Sequence, residues 1–252
     1  MCHSSESRPP EAPGDGPAVH GYEVTLEASD GNRFAGYAAR AAQPLGSGVI
    51  ILPDVRGLHP YYCALAERFA EIAIDAVAID YFGRTAGAAR REEGFPFRPH
   101  YEQTTPAGVA ADSLAAARFL RSLEGGSVSS VFAVGFCFGG SNAWRLSAEL
   151  PGLAGGVGFY GHAHRVADVI ARMRAPLLMI AAGADAGIPA EDIVNLAQTV
   201  REAGCDAEAV VYEGAPHSFF DRHCEESRPA CDDAWRRIGE FIEAHSNATP
   251  AP

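Results

Sequence analysis

Short apolar runs alternate with amphipathic stretches along most of this chain, between two polar ends rich in proline and small residues. Tyr22 to Leu26 and Arg33 to Ala39 flank Ser29-Asp30-Gly31-Asn32, a turn cluster that predicts an opening β-hairpin. Gly48 to Leu52, Ala76 to Ile79, Val128 to Gly135, Gly155 to Tyr160, Pro176 to Ala182 and Ala207 to Tyr212 are apolar runs bounded by turn residues, the pattern of buried strands. Helical spacing fills the intervals at Tyr61 to Ala73, Pro106 to Ser122, Ser141 to Leu150, Pro189 to Ala203 and Ala230 to Ala244. Strands covered by helices on both sides lose the usual polar alternation, so the pattern predicts an α/β fold: a mainly parallel sheet with an N-terminal antiparallel hairpin and helices on both faces. A single domain over residues 19–245 is expected, with flexible tails at 1–18 and 246–252 whose composition buries little.

In such a sheet the ligand crevice lies beyond the carboxyl ends of the strands, which directs attention to the polar residues there. Val131 to Ser141 reads as a strand, a Gly135-Phe136-Cys137-Phe138-Gly139-Gly140 turn and a helix start, a nucleophile elbow with cysteine in the reactive place. Glycines flank Cys137 because so sharp a turn excludes bulky side chains, and a helix N-terminus favours thiolate over thiol. The Phe138 amide is then a natural oxyanion donor. The spacing does not fit a Gly-x-Gly-x-x-Gly dinucleotide loop.

Asp185, in Gly183-Ala184-Asp185 after a later strand, would orient an imidazole or cap the helix that follows. His217 follows the last strand in Ala215-Pro216-His217. Each has an ordinary structural role open to it, but nucleophile, acid and histidine at strand ends in this chain order form a hydrolase triad. In that reading Asp185 fixes the tautomer, His217 shuttles the proton and Cys137 forms an acyl-enzyme.

Charge narrows the partners. Lys and Arg number 20 against 32 Asp and Glu, a formal net charge of -12 that opposes sequence-independent binding to nucleic acid or anionic lipid. No apolar stretch approaches the roughly 20 residues of a membrane span, and Met1 to Gly16 lacks the apolar core of a secretory signal, so a cytoplasmic location is expected. Cys2, Cys63, Cys137, Cys205, Cys224 and Cys231 show no repeated spacing of a disulfide framework or zinc module. Cys224 and Cys231 are close in sequence, but spacing alone does not give a bridge its geometry and a reducing compartment opposes it. His162-Ala163-His164 looks metal-like without an obvious third ligand. The expected ligand is therefore a small molecule, with neither nucleic acid nor membrane as partner, and the chain is expected to be a monomer or small homo-oligomer.

From about Tyr22 to Ala244 the sequence resembles the dienelactone hydrolase family of α/β-hydrolases, on Gly135-Phe-Cys137-Phe-Gly-Gly140, Gly183-Ala-Asp185, Ala215-Pro-His217-Ser-Phe219 and the separations between them. The resemblance implies an α/β-hydrolase fold and carboxymethylenebutenolidase-like hydrolysis of an activated ester or an unsaturated lactone bearing a carboxylate, with no metal or organic cofactor. It also implies that the loop after an early strand, here Leu52 to Gly57, supplies a second oxyanion amide, that of Val55. Asp54 stands where the family usually has a Glu facing the resting thiol, and is one methylene shorter; it either keeps that role or caps the turn and pairs with Arg56. Arg56 replaces what is often an aromatic wall. A substrate carboxylate calls for a cation, for which Arg222, near the family's substrate-binding Arg with shifted spacing, and Arg98 are candidates. Tyr160, after a strand, either lines the crevice or is structural. A promiscuous short-acyl esterase or thioesterase, and a noncatalytic binding module on the same fold, are the competing readings.

Overall fold

Two adjacent polar-and-apolar strands, β1 (Tyr22–Glu27) and β2 (Arg33–Ala39), pair antiparallel across the expected turn, from Tyr22 opposite Ala38 to Glu27 opposite Arg33. The computed structural model describes residues 7–13, 16–17, 19–92, 94–221 and 223–246. The apolar runs form β3 (Ser47–Leu52), β4 (Asp75–Ile79), β5 (Ser130–Phe136), β6 (Leu153–Phe159), β7 (Leu177–Ala182) and β8 (Ala207–Tyr212). The eight strands make one sheet in the order β1-β2-β4-β3-β5-β6-β7-β8. β2 joins β4 antiparallel, and every pairing from β4 through β8 is parallel.

Seven helices accompany the sheet among the described residues: α1 (Pro60–Glu71), α2 (Gly83–Ala86), α3 (Phe97–Tyr101), α4 (Pro106–Arg121), α5 (Phe138–Glu149), α6 (Ala190–Glu202) and α7 (Arg228–His245). Side chains alternate across each strand, so Val49 and Ile51 of β3 join the core under α1 and α7 while Ile50 and Leu52 join the one under α4 and α5. That two-sided burial is why β3, β4, β5 and β7 carry unbroken apolar runs. β8, at the sheet edge, is buried only at Ala207. Pro60 and Pro106 begin α1 and α4, where a missing N–H costs nothing, behind His59 and Thr105, whose side chains accept from Tyr61 N and Gly108 N.

The differences from expectation have local causes. α5 begins at Phe138, three residues before the expected Ser141, because the elbow passes directly into the helix. α2 and α3 lie in a stretch without clear periodicity, and a buried ion pair fixes it. Asp80 Oδ1 accepts from Leu58 N (3.2 Å) and Arg91 Nε (3.1 Å), and Oδ2 from Phe82 N (2.8 Å) and Arg91 Nη2 (2.8 Å). Arg91 also lies over the Phe95 ring, 4.7 Å from its centroid. Within the segment expected to be an N-terminal tail, Pro9 and Pro10 are buried. No helix among the described residues is long and apolar enough to cross a membrane.

Candidate active site

β5 ends in a turn that ordinary residues could not make. Cys137 sits at φ 54° and ψ -110°, a region that costs a non-glycine residue about 1–3 kcal/mol and persists only where its surroundings enforce it. Its N–H donates to Phe159 O (3.0 Å) and its carbonyl accepts from Ser141 N (3.2 Å). The enforcement comes from backbone packing. A β-carbon on Gly135 would lie 2.0 Å from Gly139 O, one on Gly139 2.0 Å from Leu52 O, and one on Gly140 2.4 Å from Phe159 O. Helix α5 is thus wedged against the ends of β3 and β6, and its first amide, Phe138 N–H, has no intrahelical acceptor.

Asp185 and His217 are brought together. His217 Nδ1 and Asp185 Oδ2 lie 2.5 Å apart, with the Asp side chain 3% exposed and the His side chain 29%. The other carboxylate oxygen accepts from Gly187 N (2.8 Å) and Ile188 N (3.1 Å). Burial pushes the Asp185 carboxyl up, but the bonds from His217 and Gly187, the His217 charge and the Ile188 amide outweigh it, so its pKa falls below the ordinary value. It therefore stays ionised further into the acid range than a free Asp, and a proton on Nδ1 leaves Nε2 as the imidazole's acceptor.

The loop carrying His217 turns back across the sheet. Ser218 has φ 64°, and the rings that follow pack toward β5: Phe220 lies 4.8 Å from Phe159 and 5.9 Å from Phe136, the residue before Cys137. The His217 ring rests 4.6 Å from that of Tyr160, which leaves β6 at φ 37°. Tyr160 is buried. The residue from β8 is thereby carried toward the strands that hold the elbow.

The loop after β3 is stiff and charged inside. Asp54 is fully buried; its Oδ1 accepts from Arg56 N (2.8 Å) and its Oδ2 lies 3.5 Å from Arg56 Nε. Asp54 N donates to Tyr62 Oη (3.0 Å), and Tyr81 Oη donates to Pro53 O (2.9 Å). Asp54 thus caps its turn and pairs with buried Arg56. Among the described residues the Val55 amide has no backbone acceptor, and Gly139 packs on the same Leu52–Pro53 carbonyls, which sets the two proposed oxyanion amides on neighbouring segments. Arg98 is exposed on α3. Arg222 lies outside the described residues.

A cation absent from the expected set packs on the first residue of α5. Arg165, in a 3-10 turn (Ala163–Val166) after β6, places its guanidinium 5.2 Å from the Phe138 ring centroid and 5.5 Å from that of Tyr101, and donates to the Tyr101 hydroxyl. Its Nε is buried without a hydrogen-bond partner, and among the described residues no carboxylate pairs with it. His162, in the same loop, is pushed to a lower pKa by burial and by the charges of His164, Arg165 and His217, which keeps it neutral over a wider range. The His162 and His164 rings are 5.2 Å apart, and among the described residues no group of three or more His, Cys, Asp or Glu could hold a metal ion. The signal for Arg165 was available in principle: His162 to Arg165 directly follows a strand, as the other site residues do.

Comparison with known proteins identifies the chain's relatives. The profile of the dienelactone hydrolase family matches residues 34–246. A Yersinia pestis protein provisionally named carboxymethylenebutenolidase is 28% identical over 247 residues, covering 93% of this chain and 92% of the relative. An Escherichia coli protein with the same provisional name is 27% identical over 237 residues, covering 86% and 84%. Among solved structures, one from Klebsiella pneumoniae described provisionally as a dienelactone hydrolase superposes with a TM-score of 0.75 at 23% identity, over 90% of this chain and 99% of that one. A Pyrococcus furiosus esterase gives 0.68 at 14%, over 95% and 97%. At these identities the structural likeness concerns the fold.

Proposed function

The chain belongs to the dienelactone hydrolase family, and from that membership and the site's geometry we propose that it hydrolyses lactones or activated carboxylic esters through Cys137, with His217 and Asp185 completing the triad. The observation that carries this reading is the enforced positive φ of Cys137 at the start of α5, a strained turn of the kind that presents a nucleophile. His217 Nε2 takes the thiol proton as Cys137 Sγ attacks the carbonyl carbon. The developing oxyanion is received by the amides of Phe138 and Val55. As the carbon–oxygen bond breaks, the imidazolium gives its proton to the leaving alkoxide, which in a lactone stays tethered to the acyl chain. Water, deprotonated by His217, then attacks the thioester, and the Cys137 sulfur leaves as thiolate. Asp185 holds the ring in register and offsets its transient charge.

The test is intact-mass measurement during turnover of aryl esters and unsaturated lactones. One acyl group on Cys137 and release of the acid are expected; neither adduct nor turnover would overturn the reading.

In this site Arg165 takes the substrate's carboxylate, with Tyr160 beside His217 and Asp54 and Arg56 as a rigid wall; Arg98 and Arg222 are the alternative cations. A charge-assisted hydrogen bond contributes about 1.5–3 kcal/mol, so Arg165→Ala should raise KM for a carboxylate-bearing lactone by about 10-fold to 100-fold. A neutral aryl ester should be nearly unaffected. Equal losses on both substrates would show that Arg165 only packs against Phe138.

A further inference from the structure

Behind the His217 loop, two thiols that the proposed chemistry does not use are neighbours. In the turn before α7, Cys224 N donates to Asp221 O (3.3 Å) and Ser227 N to Cys224 O (3.2 Å), and Cys231 N then donates to Ser227 O (3.0 Å) in the first turn of α7. This folds Cys231 back onto Cys224. Cys231 Sγ donates to Phe219 O (3.3 Å) and lies 3.8 Å from Cys224 O. Both thiols are free, Cys231 buried and Cys224 half-buried.

Their surroundings divide the labour. Cys224 lines a cavity of about 420 Å³ in which Arg8, Arg68 and Arg228 are balanced by Glu11, Asp221 and Glu225, whereas Cys231 is fully buried. The neighbouring Cys231 thiol lowers the Cys224 pKa; burial and the charges of Asp232 and Glu225 oppose this, and the Arg228 charge adds to it. The neighbouring Cys224 and burial push the Cys231 thiol upward. A cavity-lining sulfur next to a sealed second thiol is the arrangement of a peroxide-sensitive cysteine with its resolving thiol.

We propose that Cys224 and Cys231 are an oxidation site for hydrogen peroxide, in which Cys224 is the sulfur attacked first and Cys231 resolves it into a disulfide. The Cys224 thiolate attacks one peroxide oxygen; a sulfur–oxygen bond forms, the oxygen–oxygen bond breaks, and hydroxide leaves to become water. Cys231 sulfur then displaces the hydroxyl from the resulting sulfenic acid, and its thiol proton joins that hydroxide as a second water. Peroxide is reduced and the two thiols are oxidised. The bridge would remove the thiol donor from Phe219 O, two residues beyond His217, and so reach the proposed active site from behind.

The experiment uses the full-length Cys137→Ala protein, which removes the competing nucleophile, exposed to hydrogen peroxide and analysed by intact mass and peptide mapping. A mass lower by two hydrogens, a Cys224–Cys231 cross-linked peptide and reversal by dithiothreitol are expected. With Cys231→Ser added, dimedone should trap a persistent sulfenic acid on Cys224; with Cys224→Ser added, Cys231 should stay unreacted. A sulfenic acid on Cys231 in the Cys224→Ser protein, bridges between chains, or no linked peptide in the parent would each overturn the proposal. None of these readouts depends on turnover, so failure here is distinct from failure of the hydrolase reading.

Discussion

Replacing Cys137 by alanine should lower kcat/KM toward a chromogenic short-chain ester by about three orders of magnitude or more, the scale seen when a triad nucleophile is removed. Alanine keeps the backbone in the same strained region as cysteine, and the contacts that hold the elbow are made by Phe159 O, Leu52 O and Gly139 O, so the fold should persist. An unchanged thermal unfolding midpoint would separate lost chemistry from lost structure. Acylation at this position should vanish with the activity. Full turnover by the alanine protein would remove Cys137 from the reaction. Cys137→Ser should fall between the two, because a serine hydroxyl is a weaker nucleophile than a cysteine thiol.

Replacing Asp80 by alanine should destabilise the protein by about 3–5 kcal/mol, the cost of leaving one partner of a buried ion pair unmatched. Arg91 would lose both of its carboxylate bonds at a side chain 4% exposed, and the amides of Leu58 and Phe82 would lose their acceptor. Urea unfolding measures this as a lower midpoint at constant slope. The double variant Asp80→Ala with Arg91→Met should recover much of the loss, since an apolar pair no longer strands a charge. A single-variant cost below about 1 kcal/mol would mean that Arg91 reaches water when unpaired. Activity measured well below the unfolding transition should also fall, because Asp80 fixes both the loop that follows Asp54 to Gly57 and the segment leading to α3.

The central strands were legible because burial on both faces leaves an unbroken apolar run, as in Val49 to Leu52, and the antiparallel hairpin because its turn chemistry is local. The elbow was legible for a steric reason: only glycine tolerates a carbonyl 2.0 Å from where a β-carbon would stand, so the spacing around Cys137 is written into residue identity. Arg165 follows a strand as the other candidates do, but its place against the rings of Phe138 and Tyr101, distant in sequence, depends on the fold. The Asp80–Arg91 pair was equally hidden. Nothing in either residue's neighbourhood marks it as buried; the irregular chain between them does, and only once folded. Asp54 shows the intermediate case, where the sequence offered two roles and the bonds to Arg56 supply one of them.

The contacts that fix Cys137 are made to main-chain oxygens, which every residue possesses. Exchanging side chains at Val55, Tyr101 or Arg165 therefore leaves the seating of Cys137 untouched. For the proposed hydrolase, libraries aimed at those three positions should change which substrates are taken while keeping turnover of neutral esters.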